Sequence, residues 1–526
     1  MRWGSALIWT CLALMPSRGS LAQARPNEGR EISQAIDELR LEEAQAMLEA
    51  ALRRFPDNPA LRFEHGLLLF HRGEYRAARE ELLANAIRAV GLRPASERFL
   101  LTRIAAKSAA IFEHFEQQSS PDGRYVVRYP KSEKAILPWL FEVLRRIDKG
   151  IGEIFGTVHS GPVQVVLVPS AEILAELSSL SLEEIETTGT IAICKWDHIL
   201  LTSPRALVHG YPWADTLAHE FVHLVLTRLT RNRAPVWMQE GYARFLERRW
   251  RGPHALGELD SYSIDLLLRA YHKNELLSFE QLHPSIARLP SAELAALAFA
   301  QVSTFIASFY RRHGALGLQA VVNRVAQGID AKRAFAEIAQ APFSALEQGW
   351  KQDLAALSPP PAPNHPLVLT FRGSTSDDEV ERLSQRQARD AVRLGDMLFA
   401  RRRYLAARYE YERALSKGET YPFIAVRYAR AAHAAGTPLA ALDVLLPLRA
   451  KHPHYAPLFS LIALNALSAG KKDLAEEAAL EAIWINPFDP EPPCIIEQIG
   501  RGSQWWPIAT QSCAHPLESL QRNGIQ

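Results

Sequence analysis

Two histidines and a glutamate near the middle of the chain have the types and spacing of a metal site. His219-Glu220-Phe221-Val222-His223 lies in a stretch from Pro212 to Leu229 whose apolar residues recur with the helical period. Side chains at i and i+4 sit on one helix face about 6 Å apart, so both imidazoles reach one cation. Glu220, one residue on, projects roughly 100° around the axis and stands beside that cation instead of binding it. A second helix supplies the third ligand. After the turn Arg231-Asn232-Arg233-Ala234, Pro235 marks a helix start and Val236-Trp237-Met238-Gln239-Glu240-Gly241-Tyr242-Ala243 follows. Sixteen residues separate His223 from Glu240, enough to finish the first helix, reverse direction and bring Glu240 back to the histidines. Gly241 and Ala243 are expected to let these two helices approach closely. Two histidines with one carboxylate form a catalytic Zn2+ set that leaves one coordination place for water.

These motifs, His219-Glu220-x-x-His223 and Pro235-x-Trp237-x-x-Glu240-Gly241-x-Ala243, resemble those of the gluzincin metallopeptidases, in particular the peptidase-MA-like domains of bacterial proteins. More loosely the resemblance spans residues 120 to 356, including the stretch from Gln301 to Gly328 and Trp350. It implies that His219, His223 and Glu240 bind Zn2+, that Glu220 is the general base, and that the substrate is a peptide or protein. Ligand histidines need an outer partner for the second ring nitrogen, and Asp215 and Glu247 are the two candidates. The resemblance also implies that an extended substrate pairs with an exposed sheet edge, here the segment from Gly189 to Leu201. It implies a downstream Tyr or His that steadies the oxyanion. Phe299 stands where that residue is expected, and Tyr242, Tyr262, Tyr271, His272 and Tyr310 are the substitutes.

The elements around the site follow from pattern. Tyr125 to Tyr129 alternates like a strand, Ile136 to Phe155 is helical, and Val163 to Val168 is a strong strand followed by a short helix at Leu174 to Leu180. Ile191 to Trp196 and Ile199 to Leu201 read as a hairpin turning at Asp197-His198. On either side the chain repeats itself. Gly395, Ala429 and Ala463 recur every 34 residues, as do Ala407, Ala441 and Ala475, with Gly436 and Gly470 at turns and Pro453 and Pro487 closing units. The same frame fits Ala44, Gly66 and Ala78 near the N-terminus. This periodicity resembles the tetratricopeptide repeat, which implies stacked helix pairs, two before and three after the middle, that hold a protein partner. Between the middle and the C-terminal repeats, Ser358-Pro359-Pro360-Pro361-Ala362-Pro363 is expected to form a stiff exposed linker.

The N-terminus carries Met1-Arg2-Trp3, an apolar run from Ala6 to Met15 and the small-x-small sequence Ala22-Gln23-Ala24, the layout of a cleavable secretory signal. That run is far shorter than the roughly 20 residues of a membrane span, and no transmembrane segment is expected after its removal. The expectation is export to a bacterial periplasm or beyond the cell. Lys+Arg 60 and Asp+Glu 58, closely interspersed, leave a net charge of +2 and argue against nucleic acid as a partner. Of the cysteines left after signal removal, Cys194, Cys494 and Cys513, the sequence leaves open whether the last two pair.

The expected fold is therefore α+β: a zincin-like metallopeptidase domain of mixed sheet and helices between N- and C-terminal α-helical repeat solenoids. The expected order is signal peptide 1–24, N-terminal repeats 25–118, peptidase domain 119–356, linker 357–386, C-terminal repeats 387–490 and tail 491–526. Two functions fit this architecture. One is an exported zinc metallopeptidase whose repeats bind protein or substrate, the other a repeat scaffold around a peptidase domain that has lost catalysis.

Overall fold

A computed structural model of the chain describes residues 26–156, 161–282, 286, 289–360, 369, 371–372, 379–417 and 421–513. The expected signal peptide 1–24, most of the proline-rich stretch and residues 514–526 lie outside the described residues.

The N-terminal helices are α1 (Pro26–Asp37), α2 (Leu41–Arg54), α3 (Pro59–His71), α4 (Tyr75–Asn85) and α5 (Ala95–Phe112). Asn58 starts α3 by accepting from the amides of Ala60 and Leu61 at 3.0 and 3.2 Å, with Pro59 in the first turn. The small residues are needed where the helices touch: a Cβ on Gly66 would lie 2.8 Å from Leu82 Cγ. These helices bury an apolar core of their own around Leu48, Phe63 and Leu82.

A five-stranded sheet follows, built from β1 (Glu116–Ser119), β2 (Tyr125–Tyr129), β3 (Val163–Val168), β4 (Ala192–Lys195) and β5 (His198–Thr202) in the order β1-β2-β3-β5-β4. β2, β3 and β5 run parallel, while β1 and β4 are antiparallel edges. β3, covered on both faces, is apolar at five of its six positions and buried throughout. The hairpin turns one residue earlier than expected, at Trp196 and Asp197, whose positive φ of 52° and 65° suits a two-residue turn between twisted strands. The α6 helix (Leu137–Phe155) crosses from β2 to β3. Two short helices, α7 (Ala171–Leu177) and α8 (Leu182–Thr188), stand where one was expected.

Beyond the sheet come α9 (Trp213–Thr230), α10 (Val236–Leu246), α11 (Ser261–Lys273), α12 (Ala292–Ala326), α13 (Ala331–Ala339) and α14 (Phe343–Ala355). The reversal between α9 and α10 uses left-handed backbone at Arg231 and Asn232, φ 53° and 57°. α12 is long and apolar enough to cross a membrane by composition alone, but it packs among α9, α10, α11, α13 and α14 and bends at Gly314.

The C-terminal helices are α15 (Arg386–Ala400), α16 (Tyr404–Leu415), α17 (Pro422–Ala434), α18 (Pro438–Leu445), α19 (Ala456–Ser468), α20 (Lys472–Ile485), α21 (Glu491–Ile499) and α22 (Trp506–Ser512). Gly395, Ala429 and Ala463 are buried in the first helix of successive pairs, and Ala407, Ala441 and Ala475 in the second. Two expectations are corrected here. The stretch read as a tail forms α21 and α22, joined by a Cys494–Cys513 disulfide; Pro492 and Pro493 sit in a first helical turn, where proline is tolerated. The described part of the linker is not exposed throughout. Phe371 bridges Leu207, the Arg372 amide donates to Ala206 O at 2.9 Å, and Val380 and Leu383 are buried. One apolar core runs from the sheet through α9 and α12 into the C-terminal helices.

Gly241 faces α12, not α9: a Cβ there would lie 2.9 Å from Ile306 Cγ1 and 3.1 Å from Val302 O. The reason is angular, since Gly241 is roughly 100° around the helix from Glu240. Gly241→Ala should therefore destabilise the fold by about 1–3 kcal/mol through overpacking, read as a lower urea midpoint with an unchanged slope.

Candidate metal centre

His219 and His223 leave α9 toward α10, their Nε2 atoms 3.1 Å apart. Glu240 Oε2 comes back from α10 to within 3.2 Å of His219 Nε2 and 3.4 Å of His223 Nε2. Zinc bonded at about 2.0–2.1 Å in a tetrahedral set has its ligand atoms roughly 3.3 Å apart, so the donor types and their separations both fit that ion. Among the described residues, this is the one group of three His, Cys, Asp or Glu side chains whose ligand atoms all converge in this way. Each side chain keeps 15–20% of its surface exposed.

The outer ring nitrogens are held as a metal ligand requires. His219 Nδ1 donates to Glu247 Oε2 at 3.1 Å, and Glu247 in turn accepts from Arg244 Nη1 at 2.7 Å. That leaves Nε2 of His219 for the cation. Asp215, the other expected partner, is engaged elsewhere. It accepts from Arg251 Nε at 2.8 Å, Arg251 Nη2 and Trp250 Nε1 at 3.0 Å, and Arg248 Nε at 3.3 Å. His223 Nδ1 lies 3.3 Å from Gln239 Oε1, and Gln239 Nε2 reaches Thr227 Oγ1 at 3.4 Å. Sequence reasoning missed Gln239. Its signal is a polar residue between Trp237-Met238 and Glu240, in a helix whose other early positions turn to the core.

Charge is concentrated here. Burial works against an imidazolium at His219, but hydrogen bonds to Glu240 and Glu247 outweigh it and hold its pKa up at about 10. Burial likewise opposes charge on His223, and the Glu240 carboxylate overcomes it. The two imidazoles together hold the Glu240 carboxyl far below its ordinary range in spite of burial. The carboxylates thus favour protonation of the imidazole pair. Glu220 differs: it is buried beside the trio, and burial pushes its carboxyl up more than the imidazoles pull it down. The main-chain N–H of Cys194 bonds it, which ties the expected base to β4, the sheet edge lying against α9.

Among the residues expected near an oxyanion, the Tyr242 hydroxyl is committed elsewhere. Phe299 is half-buried in the core, Tyr242 is fully buried and donates to Leu318 O at 3.2 Å, and Tyr310 packs on Phe245 with ring centroids 5.2 Å apart. Tyr271 contacts His272 at 5.4 Å, and Tyr262 is half-buried against the core.

Comparison with known proteins bears on this region directly. Residues 153–356 match a family model described as the Peptidase MA superfamily, a span that takes in β3 to β5 and the metal trio. No curated protein matches the chain. Among solved structures, yeast LTA4 hydrolase in complex with bestatin aligns over 76% of this chain and 67% of its own, at 10% identity and a TM-score of 0.30. That likeness is too slight to carry an argument.

A ligand nitrogen must be unprotonated, so below pH 10 each bound cation has to displace the His219 proton. Zinc affinity should accordingly rise about tenfold per pH unit for each proton displaced. Calorimetric titration at pH 7 in buffers of different ionisation enthalpy should show at least one proton released per zinc; release of none would contradict the charge state drawn here.

Proposed function

We propose that this chain is an exported zinc-dependent metallopeptidase in which His219, His223 and Glu240 hold the metal and Glu220 is the general base. The observation that carries the proposal is the convergence of three side-chain atoms within 3.1–3.4 Å, with a second, separately held carboxyl beside them. The Peptidase MA match over residues 153–356 supports the same reading. A bound zinc would lower the pKa of a water to about 7 and polarise the scissile carbonyl. Glu220 takes the proton of the attacking water and returns it to the leaving amine. Its raised pKa suits a group that must do both, work worth roughly 10² to 10⁴ in rate. The outer edge of β4, beside Glu220, offers main-chain groups along which an extended peptide can lie.

The paired helices on either side, with small residues every 34 positions, serve in this proposal as tetratricopeptide repeats that hold a protein partner or present the substrate. Export rests on the N-terminal sequence and fits the Cys494–Cys513 pair, since disulfides persist in oxidising compartments. A second reading, a repeat scaffold whose metal domain no longer hydrolyses, draws on one observation: Phe299 has no hydroxyl and Tyr242 has spent its own on Leu318. Loss of one oxyanion donor costs about 10² to 10³ in rate.

The deciding experiment uses the metal-loaded protein and an unfolded polypeptide substrate. Glu220→Gln should lower the cleavage rate by roughly 10² to 10⁴ while one zinc per chain is retained. Zinc bound by both proteins, with no cleavage by either across a broad peptide library, would decide for the scaffold.

A further inference from the structure

The metal helix is fastened at its start by the C-terminal array. The last carbonyls of α20 have no partner within their own helix, and the segment entering α9 supplies two donors. Tyr211 N–H donates to Ile485 O at 3.0 Å, and the Trp213 indole to Ile483 O at 2.8 Å. Gly210 is built for this approach, since a Cβ there would stand 2.2 Å from Ile485 O and its φ is 75°. Around this junction Trp484 touches Trp139, Trp213, Trp250 and Trp505, with ring centroids 5.1–6.3 Å apart.

One charged side chain ties three elements together. Arg251, just past α10, grips both oxygens of Asp215 at 2.8 and 3.0 Å and reaches Glu481 of α20 with its remaining nitrogen at 2.6 Å. Asp215 lies one helical turn before His219, and Arg251 follows the helix that carries Glu240 and Glu247. The guanidinium therefore sets the start of the histidine helix, the end of the glutamate helix and α20 against one another, in a half-buried place where its bonds are weakly screened.

We propose that Arg251 is a positioning residue of the metal site, acting through Asp215 and anchored by Glu481, so that the docked C-terminal array helps set the zinc affinity of the trio. This rests on the zinc reading above. The test titrates full-length protein with zinc against a chromophoric chelator. Arg251→Gln and Glu481→Gln should weaken zinc binding by roughly 3- to 10-fold, below the 10- to 100-fold typical of groups that touch a ligand directly. Glu477→Gln, one turn earlier on α20 and paired with Arg449, is the control and should bind like wild type. Arg251→Lys should recover part of the loss, because an ammonium lacks the planar fork that spans two carboxylates. Tryptophan emission from the ring cluster should stay at the wild-type wavelength in Glu481→Gln, which separates altered positioning from undocking. Should Arg251→Gln fold poorly, Glu481→Gln still decides, since it leaves Arg251 on Asp215. Zinc bound equally by wild type and all variants would overturn the positioning role alone, whereas wild type without zinc affinity would overturn the hydrolase reading with it.

Discussion

Everything at the candidate metal centre depends on one carboxylate crossing from α10 to two imidazoles on α9. The histidines are fixed relative to each other by the helix itself, one turn apart on a single face. Glu240 has no such covalent guarantee. Its arrival requires the left-handed turn at Arg231 and Asn232 to reverse the chain, and it requires α10 to be rotated correctly about its axis. That rotation is set from behind. Trp237 sits in an aromatic nest of Phe279, Phe305, Phe335 and Phe343, and Gly241 lies hard against α12. With those positions committed to the core, Gln239 and Glu240 are left facing the histidines.

Placing charge in this setting has a cost that the surroundings must meet. A half-buried ion without a partner is strongly destabilising, and removing one member of a buried pair costs about 3–5 kcal/mol. The structure answers with chains of alternating sign. Glu240 meets His219, His219 meets Glu247, and Glu247 meets Arg244; in parallel, Asp215 meets Arg251, which meets Glu481. Each link has directional hydrogen bonds, so the network specifies orientation as well as balancing charge. The same network explains why Glu220 stands out. It is beside the trio but outside the chain of ion pairs, held instead by a neutral main-chain donor, which leaves its carboxyl free to exchange a proton.

The convergence of His219, His223 and Glu240 was legible in the sequence because its geometry is local. Spacing within one helix, and the length of chain needed to reverse into the next, fix His219, His223 and Glu240 without knowledge of the rest. The same logic located four of the five strands, missing β1, and the 34-residue helix pairs. It stopped where a residue's direction depends on distant chain. Asp215 and Glu247 were equal candidates for the outer partner of His219, and what separates them is the placement of Trp250 and Arg251, a short irregular segment with no periodic signal. Gly241 was correctly read as a contact glycine but given the wrong neighbour, because a small residue says that something is close and not what. The helices after residue 490 lie beyond the last unit of the 34-residue frame, and Pro492 and Pro493 sit in the first turn of α21, where proline is tolerated.

The arrays also differ in how they meet the metal helix, and the difference follows from where their apolar residues lie. The N-terminal helices close a core of their own, lay Phe70 and Tyr75 against Trp196 and His198 of the β4–β5 hairpin and α5 against α7, and reach the far end of α9 through polar contacts. There Arg233 pairs with Glu38 at 2.6 Å, and Asn232 donates to Asp37 O at 3.3 Å. Arg228, a turn earlier, grips Asp197 of the β4–β5 hairpin at 2.7 and 2.8 Å. The C-terminal helices share the central apolar core and hold the near end of α9 through Ile483, Ile485 and the tryptophans. A helix of 18 residues is a stiff rod about 27 Å long, and fixing both ends fixes its rotation as well as its place. Its histidines, set inward from either end, inherit that constraint. The placement of the three side chains is thus set by elements well beyond the two adjacent helices that carry them.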